Sequence, residues 1–217
     1  MTTYEIISTG SKGNAVMIND NVLIDCGVPF KRLEPIKRYL RLVLLTHVHS
    51  DHFNRRTVGQ LSKERPTLRW GCCEWMVAPL LDAGVDRRVI DVYEPGCVYT
   101  YLDGIGKVRP ERLPHNVPNC GYHLSLPGDE MLFYATDTAT LDGVKAPNYD
   151  LYMIEANHTK EGIQAAIQAK RDAGEYSYEW AAAHNHLSRE QAEKWLAENA
   201  GMNSRYVFLH QHKDVGM

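Results

Sequence analysis

The sequence predicts an α/β fold in which two β-sheets carry helices on their outer sides. Short apolar runs occur in both halves of the chain, helical segments lie between them, and the last helix starts at a capping box formed by Ser188 and Gln191. A chain of 217 residues has the size of one large domain. The predicted strands are 3–8, 15–18, 21–26, 41–46, 67–70, 97–101, 121–126, 130–136, 150–155 and 205–210, and the predicted helices are 51–63, 72–83, 160–173 and 188–199.

The composition is that of a globular protein, with 44% hydrophobic and 24% charged residues. No apolar stretch approaches the ~20 residues that a membrane-spanning helix needs, and the N-terminus lacks the basic and apolar regions of a signal peptide. Five irregularly spaced cysteines favour free buried thiols in a reducing compartment. We therefore expect a cytoplasmic protein that has no membrane partner.

The charge is distributed unevenly along the chain, although the net charge is only −3. Residues 31–69 contain ten Lys or Arg side chains against three acidic ones, whereas residues 129–199 contain six against thirteen. A basic region is suited to binding a polyanion such as nucleic acid. Such a run also occurs as an ordinary solvated face, so both interpretations stay open at this point.

The most specific motif is the hexapeptide at residues 47–52, which contains three histidines and one aspartate. It follows an apolar run at residues 42–46 that is typical of a buried strand. His47 and His49 are two apart in an extended chain, so their rings project to the same side, whereas Asp51 and His52 follow where the chain turns. A structural zinc site usually contains cysteine, and this motif has none. The pattern therefore predicts ligands for two neighbouring metal ions.

Further residues of metal-binding type follow apolar runs later in the chain. Asp137, Glu155 and His210 each come at or just after the end of a predicted strand. His115 lies in a polar loop before a strand, and His186 stands directly before the last predicted helix. Open α/β sheets place their sites beyond the carboxyl ends of strands, so these residues are candidates for the same site.

Taken in order, these residues resemble the metallo-β-lactamase superfamily. The similarity extends over about residues 5–212, and shorter motifs resemble the YycJ-like exonuclease group, which is related to ribonuclease Z and ribonuclease J. One departure concerns Asn185, which stands where the family usually has glycine. The motifs that carry the resemblance are Ser8-Thr9-Gly10-Ser11-Lys12-Gly13-Asn14, Val22-Leu23-Ile24-Asp25-Cys26-Gly27, the hexapeptide at 47–52, His115, Thr136-Asp137-Thr138, Glu155-Ala156-Asn157-His158, His186-Leu187-Ser188 and His210.

The resemblance implies an αββα four-layer sandwich of two mixed β-sheets, formed by a single domain at residues 1–217 without an inserted cap domain. It also implies two divalent metal ions, with Zn²⁺ expected and Mn²⁺ or Fe²⁺ as alternatives. The implied ligands are His47, His49 and His115 for the first ion and Asp51, His52 and His210 for the second, with Asp137 bridging both. Glu155 and His186 match the pair that protonates the leaving group in the nuclease branch, so the expected catalytic residues are Asp51, Asp137, Glu155 and His186.

From these features we expect a metal-dependent hydrolase, and more specifically a nuclease that cleaves DNA or RNA phosphodiesters with a metal-bridged hydroxide, as an exonuclease. The loop containing Ser11, Lys12 and Asn14 is a candidate for binding a substrate phosphate, and a simple hairpin turn is the alternative. Asp25 is expected to orient a ligand histidine. The alternative function is a small-molecule hydrolase such as a lactonase, thioesterase, β-lactamase or cyclic-nucleotide phosphodiesterase, and a more remote one is a non-catalytic metal-binding protein.

Overall fold

The computed structural model describes residues 1–102, 104–177 and 179–211. The described chain forms two six-stranded β-sheets, and both sheets contain parallel as well as antiparallel strand pairs. By its internal packing the chain divides into two compact units, Met1–Glu111 with Leu124–Glu130 and Arg112–His123 with Met131–Met217. The prediction of a single domain without a cap stays a prediction.

The first sheet has its strands in the order of the sequence, from β1 to β6. The first three strands pair antiparallel, and the last four pair parallel. β4 is apolar throughout and completely buried, which is typical of a strand covered on both faces. The strands are β1 (Tyr4–Ser8), β2 (Ala15–Ile18), β3 (Val22–Ile24), β4 (Leu42–Leu45), β5 (Arg69–Cys73) and β6 (Ile90–Tyr93).

Two helices belong to the first unit, α1 (Arg55–Glu64) and α2 (Val77–Asp82). Helix α1 presents Val58 and Leu61 to a core that includes the fully buried Trp70. The amphipathic spacing of these side chains explains why the segment is helical, since one face is removed from water while the other carries charge.

The second sheet has the strand order β12-β11-β10-β9-β8-β7. Strands β10, β11 and β12 run parallel, and β7 pairs antiparallel with β8. On the helix α5, Trp195 and Leu196 pack in the same core as Phe133 and Tyr152. The elements are β7 (Tyr99–Tyr101), β8 (Gly106–Leu113), β9 (Asn119–Leu126), β10 (Glu130–Ala135), β11 (Leu151–Glu155), α3 (Lys160–Asp172), α4 (Glu179–Asn185), α5 (Arg189–Asn199) and β12 (Arg205–Leu209).

The capping box at Ser188 and Gln191 is present as predicted. The helix predicted to begin at residue 51 begins at Arg55 instead, because the Asn54 side chain accepts a hydrogen bond from the Thr57 amide and so caps it there. The start of the helix predicted at 72–83 was wrong, since β5 continues to Cys73. Three elements were missed, namely β6, β8 and α4.

The missed strand β8 contains Pro110, which donates no backbone hydrogen bond and therefore argues against a strand in sequence analysis. None of the described helices has the length and apolar character that crossing a lipid bilayer requires.

Candidate metal centre

In the first unit, the residues that follow β4 form a compact group of imidazole rings. The rings of His47 and His52 are fully buried, and their centroids lie 4.2 Å apart. The ring of His49 is half-buried, with its centroid 4.8 Å from that of His47. Asp51 Oδ2 lies 3.7 Å from His52 Nε2. The structure therefore brings all four predicted ligands of the hexapeptide together.

The spacing of the ring nitrogens fits a shared metal ion. His47 Nε2 and His49 Nδ1 are 3.2 Å apart. Two nitrogens that each lie ~2.05 Å from one tetrahedral ion are separated by about 3.3 Å. Imidazole and carboxylate donors also have the chemistry that zinc, manganese and iron accept. The described residues of this cluster thus fit a divalent metal ion in both distance and donor type.

Asp25 fixes the orientation of the hexapeptide through hydrogen bonds to Thr46 and His52. Its fully buried carboxylate lies 2.6 Å from His52 Nδ1 and accepts hydrogen bonds from the Thr46 hydroxyl (2.9 Å) and the Thr46 amide (3.0 Å). Because a carboxylate only accepts, both His52 Nδ1 and the Thr46 hydroxyl must donate to it. The Thr46 oxygen then accepts from His47 Nδ1, at 2.9 Å. Both histidines therefore carry a proton on Nδ1, which makes Nε2 the ring atom with which each would hold a metal ion.

The loop predicted to bind phosphate contributes mainly to this internal arrangement. The buried Asn14 side chain lies 2.8 Å from His52 Nε2 and donates to the Asp51 carbonyl oxygen at 3.2 Å. The Asn14 NH₂ group can donate to His52 Nε2, because the proton of the His52 ring is on Nδ1, where it bonds to Asp25. Ser11 and Lys12 are exposed at the tip of the same loop. Asn14 therefore fixes the histidine segment, and only Ser11 and Lys12 present side chains to solvent.

In the second unit, a cluster of side chains joins the ends of β10, β11 and β12. Asp137, Glu155, His186 and His210 each offer a ligand atom, and these atoms all lie within 4.8 Å of one another. Asp137 Oδ1 lies 3.1 Å from His186 Nδ1 and 3.0 Å from His210 Nδ1. These four residues come from positions up to 73 apart in sequence, which shows that the strand ends meet at one edge of the sheet.

Glu155 organises this second cluster. Its Oε1 lies 2.6 Å from His186 Nδ1 and 2.9 Å from His210 Nδ1, and its Oε2 accepts from the amides of Thr138 and Leu187, both at 3.1 Å. Four hydrogen bonds satisfy a carboxylate that is fully buried. Since both histidines use Nδ1 toward Glu155, each has Nε2 left for another partner.

The charges in the cluster stabilise one another. Burial disfavours the ionised Glu155 carboxylate, but the positive charge of His186 and its hydrogen bond outweigh this and lower the pKa of Glu155. Burial likewise disfavours protonated His186, yet Glu155 and Asp137 outweigh it and raise the pKa of His186 to about 9. The side chain of His186 is 20% exposed, so its protonated ring is accessible from solvent.

Two members of the cluster have a left-handed backbone, Asp137 (φ 54°) and His210 (φ 52°). Non-glycine residues in this region are uncommon and cluster at functional sites. Asn119 donates to the Asp137 carbonyl oxygen at 2.6 Å, and Asn157 donates to the His210 carbonyl oxygen at 2.9 Å. Sequence analysis missed the roles of Asn119 and Asn157, although Asn157 belongs to one of the resemblance motifs.

His115 is half-buried beside this cluster, with its ring centroid 5.4 Å from that of His186. Its Nδ1 donates to the Asn185 carbonyl oxygen at 3.1 Å, so Nε2 is the ring atom with ligand character. Because the backbone of Asn185 makes this contact, the change from the usual glycine does not remove it. The structure thus groups His115, Asp137, Glu155, His186 and His210 in the second unit.

A family model described as a β-lactamase superfamily domain matches residues 20–211 of the chain. No curated protein sequence matches the chain significantly. Among solved structures, the metallo-β-lactamase fold protein YhfI from Bacillus subtilis is similar with a TM-score of 0.74 and 16% identity, covering 97% of this chain and 86% of that one. The short form of human tRNase Z has a TM-score of 0.69 and 17% identity, covering 97% and 92% of the two chains.

A diphosphatase of the PhnP family is also similar, with a TM-score of 0.67, 15% identity and coverage of 99% of this chain and 89% of that one. These structures share the arrangement of two mixed sheets flanked by helices, so the predicted fold class is confirmed. The described cluster of histidine and acidic residues is suited to binding metal ions, as expected of metal-dependent hydrolases with this fold. The chain belongs to the metallo-β-lactamase superfamily.

Proposed function

We propose that this protein is a metal-dependent phosphodiesterase that cleaves nucleic acid. The observation that carries the proposal is the pair formed by Glu155 and His186, whose Oε1 and Nδ1 atoms lie 2.6 Å apart. Such a pair holds a proton donor in place for a leaving group, which is needed when an alkoxide departs from phosphorus. A thioester has less need of this acid, because a thiolate departs without a proton.

The metal ligands are proposed from the resemblance and from the donor sets of the two units. When bound, two divalent ions lower the pKa of a water molecule and neutralise charge on phosphate oxygens. Asp25 and Glu155 keep the ligand histidines in the tautomers that this requires. We assign His47, His49 and His115 to one ion, Asp51, His52 and His210 to the other, and Asp137 to both, with Zn²⁺ as the expected metal.

His186 is positioned to act as the proton donor while Glu155 holds its ring. Its Nδ1 is engaged by the carboxylate, so the proton that it delivers to the leaving oxygen is the one on Nε2. Glu155 stays ionised because it accepts four hydrogen bonds, and it therefore stabilises the imidazolium ring. After the transfer, His186 regains a proton from solvent through its exposed edge.

Two solved structures with the same fold are a tRNase and a diphosphatase, which supports phosphate esters as the substrate class. The basic region at residues 31–69 gives less support than its charge suggests. Arg55 and Arg65 donate to backbone carbonyl oxygens, and Arg69 pairs with Asp91. Lys31, Arg56 and Lys63 are exposed and are the better candidates for phosphate contacts.

A finer feature of this proposal rests on the short motifs that resemble the YycJ-like group. The feature is cleavage from a strand end; the proposed cytoplasmic location rests instead on the free cysteines. Comparing a linear with a circular oligonucleotide tests cleavage from an end, because an exonuclease leaves the circle intact.

The acid role of His186 is tested with two substrates of different leaving group. In His186→Ala, cleavage of an oligonucleotide should fall by ~10²–10⁴-fold. Hydrolysis of bis(p-nitrophenyl) phosphate should fall far less, because p-nitrophenolate departs without a proton. Glu155→Gln should lose activity on both substrates, because Glu155 also holds the proposed metal ligand His210. Glu193→Gln, which changes an exposed carboxylate paired with Arg189, is the matched control.

If His186→Ala loses the same factor in activity on the oligonucleotide and on bis(p-nitrophenyl) phosphate, the role of His186 as the acid is refuted. A wild-type protein that hydrolyses nitrocefin or a thioester but no oligonucleotide would refute the proposed function in favour of a small-molecule hydrolase. After EDTA treatment, cleavage should return when Zn²⁺, Mn²⁺ or Mg²⁺ is added, and the three ions are supplied separately.

A further inference from the structure

We propose that Trp180 and His184 on helix α4 form a stacking platform for a nucleobase beside the cleaved phosphodiester. This inference rests on the proposed function and adds a substrate-binding subsite to it. The platform would take an unpaired base of single-stranded DNA or RNA, because stacking on an aromatic face is open to every base.

The rings of Trp180 and His184 already contact each other in a tilted arrangement. Their centroids are 4.1 Å apart with an interplanar angle of 32°. His184 Nδ1 donates to the Trp180 carbonyl oxygen at 2.7 Å, which fixes the imidazole over the indole one helical turn away. Despite this contact, 60% of Trp180 is exposed to solvent. His184 therefore lies against one side of the indole, while more than half of Trp180 stays in contact with solvent.

Helix α4 does not use its aromatic residue for packing. No residue of α4 is buried, and the three alanines between Trp180 and His184 are half-buried, whereas both of these ring-bearing residues are exposed. The helix is tethered at its start by an ion pair between Glu179 and Lys170 (2.8 Å) and by a hydrogen bond from Ser177 to Glu179 (2.9 Å). A tethered helix with an outward tryptophan has the rigidity that a binding platform needs.

The platform is continuous with the acid pair of the proposed site. Helix α4 ends at Asn185, whose carbonyl oxygen accepts from His115, and His186 follows directly. Six residues separate Trp180 from His186, which corresponds to about 9 Å along a helix. That distance matches two or three stacked nucleotides at about 3.4 Å each. The helical turn continues to His186, whose amide donates to the Ala182 carbonyl oxygen, and the two side chains point about 120° apart around the axis. A strand whose base stacks on Trp180 would therefore reach the leaving group by bending around the end of the helix.

A nucleobase suits this surface better than a protein partner does. The open area is a single flat aromatic ring flanked by alanine methyl groups, whereas a stable protein interface buries about 800 Å² on each side. Within the part of the chain that the structure describes, Lys170 near the helix is neutralised by Glu179, so affinity here would come from stacking rather than from phosphate charge.

Binding is tested first with metal-free protein, so that no cleavage occurs. Ten-residue oligothymidylate and oligouridylate are titrated in EDTA while tryptophan fluorescence is recorded. Stacking should quench the wild-type signal, and Trp180→Phe, which keeps an aromatic ring, should bind with similar affinity but lose most of the quenching. Trp180→Ala should weaken binding by about 5- to 150-fold. Tyr39→Ala, which removes an exposed aromatic residue of the first unit, is the matched control and should bind like wild type.

Kinetics with the metal-loaded protein then test whether Trp180 contacts a base of the substrate. The KM of Trp180→Ala for an oligonucleotide should rise at least fivefold with kcat nearly constant, and Trp180→Phe should restore most of the loss. With an oligonucleotide that is abasic at the three positions next to the cleaved bond, the difference between wild type and Trp180→Ala should shrink to less than twofold.

Three results would overturn the platform. If Trp180→Ala and wild type bind and cleave the normal oligonucleotide equally, stacking is absent while the proposed function stands. If the variant loses the same factor on the abasic substrate, Trp180 supports folding of the site rather than a base. If Trp180→Ala changes the molecular mass in light scattering, the face binds a second copy of the chain. Failure of the wild type to bind or cleave any oligonucleotide would refute the proposed function itself.

Discussion

Replacing Asp25 by asparagine should reduce metal affinity with little change in shape. In the structure Asp25 Oδ1 accepts from the Thr46 amide, and Oδ2 lies 2.6 Å from His52 Nδ1. If the amide oxygen of the new asparagine keeps the Thr46 contact, its NH₂ group faces His52 Nδ1. Two donors then meet, and the proton of His52 must move to Nε2.

A proton on His52 Nε2 occupies the position that a metal ion needs, and it also opposes the NH₂ group of Asn14, 2.8 Å away. Loss of such an orienting partner typically costs 10–100-fold in metal affinity, or about 1.4–2.7 kcal/mol. The metal-free protein should also lose about 1.5–3 kcal/mol of unfolding free energy, because a hydrogen bond to a buried charge disappears.

Competition for Zn²⁺ with a chelator of known affinity measures the first effect, and urea unfolding in EDTA measures the second. Asp20→Asn is the matched control, since Asp20 is exposed in a turn with a φ of 58° that asparagine accepts equally well. If Asp25→Asn binds Zn²⁺ as tightly as wild type, Asp25 does not set the tautomer and the reasoning from hydrogen-bond donors is refuted.

Four further outcomes are expected. Gly27→Ala should destabilise the fold by about 3 kcal/mol or more in urea, because a Cβ atom would lie 1.7 Å from the Asp51 carbonyl oxygen; a stable variant would contradict this close approach. Asn157→Ala should cost about 1–3 kcal/mol by orphaning the His210 carbonyl, and Asn157→Asp should not rescue it, since a carboxylate cannot donate. A thiol reagent should modify one cysteine quickly in the native protein and five after unfolding, because Cys97 is exposed while burial raises the pKa of Cys72 to about 12; more than one fast thiol would count against the buried positions. EDTA should abolish hydrolysis, elemental analysis should find two metal ions per chain before treatment, and activity that survives chelation would exclude a metal site.

Sequence analysis predicted the candidate site more completely than the fold around it. The hexapeptide could be predicted as a metal-binding segment because its four ligand side chains lie within six residues of sequence, and their types are those of metal ligands. The pairing of Glu155 with His186 came from the resemblance, since the two residues are 31 positions apart and nothing in their spacing predicts a contact.

The missed elements have physical explanations. β6 is a short strand at the edge of its sheet, and its Asp91 pairs with Arg69 from the neighbouring strand, so its apolar signal is weak. Helix α4 buries no residue, and therefore lacks the apolar stripe by which an amphipathic helix is recognised. The predicted helix start at residue 51 was too early, because the Asn54 side chain caps the helix and so determines that it begins at Arg55.

Backbone conformation carries information about the site that residue types do not. Asp25, Asp137 and His210 each follow a strand and adopt φ values of 63°, 54° and 52°. Such a conformation costs of order 1–3 kcal/mol for a non-glycine residue and persists only where neighbours enforce it. Glycine would remove the strain but also the side chain. At these three strand ends the left-handed turn aims a carboxylate or an imidazole past the end of the strand, whereas Asp20 adopts the same conformation in an ordinary exposed turn.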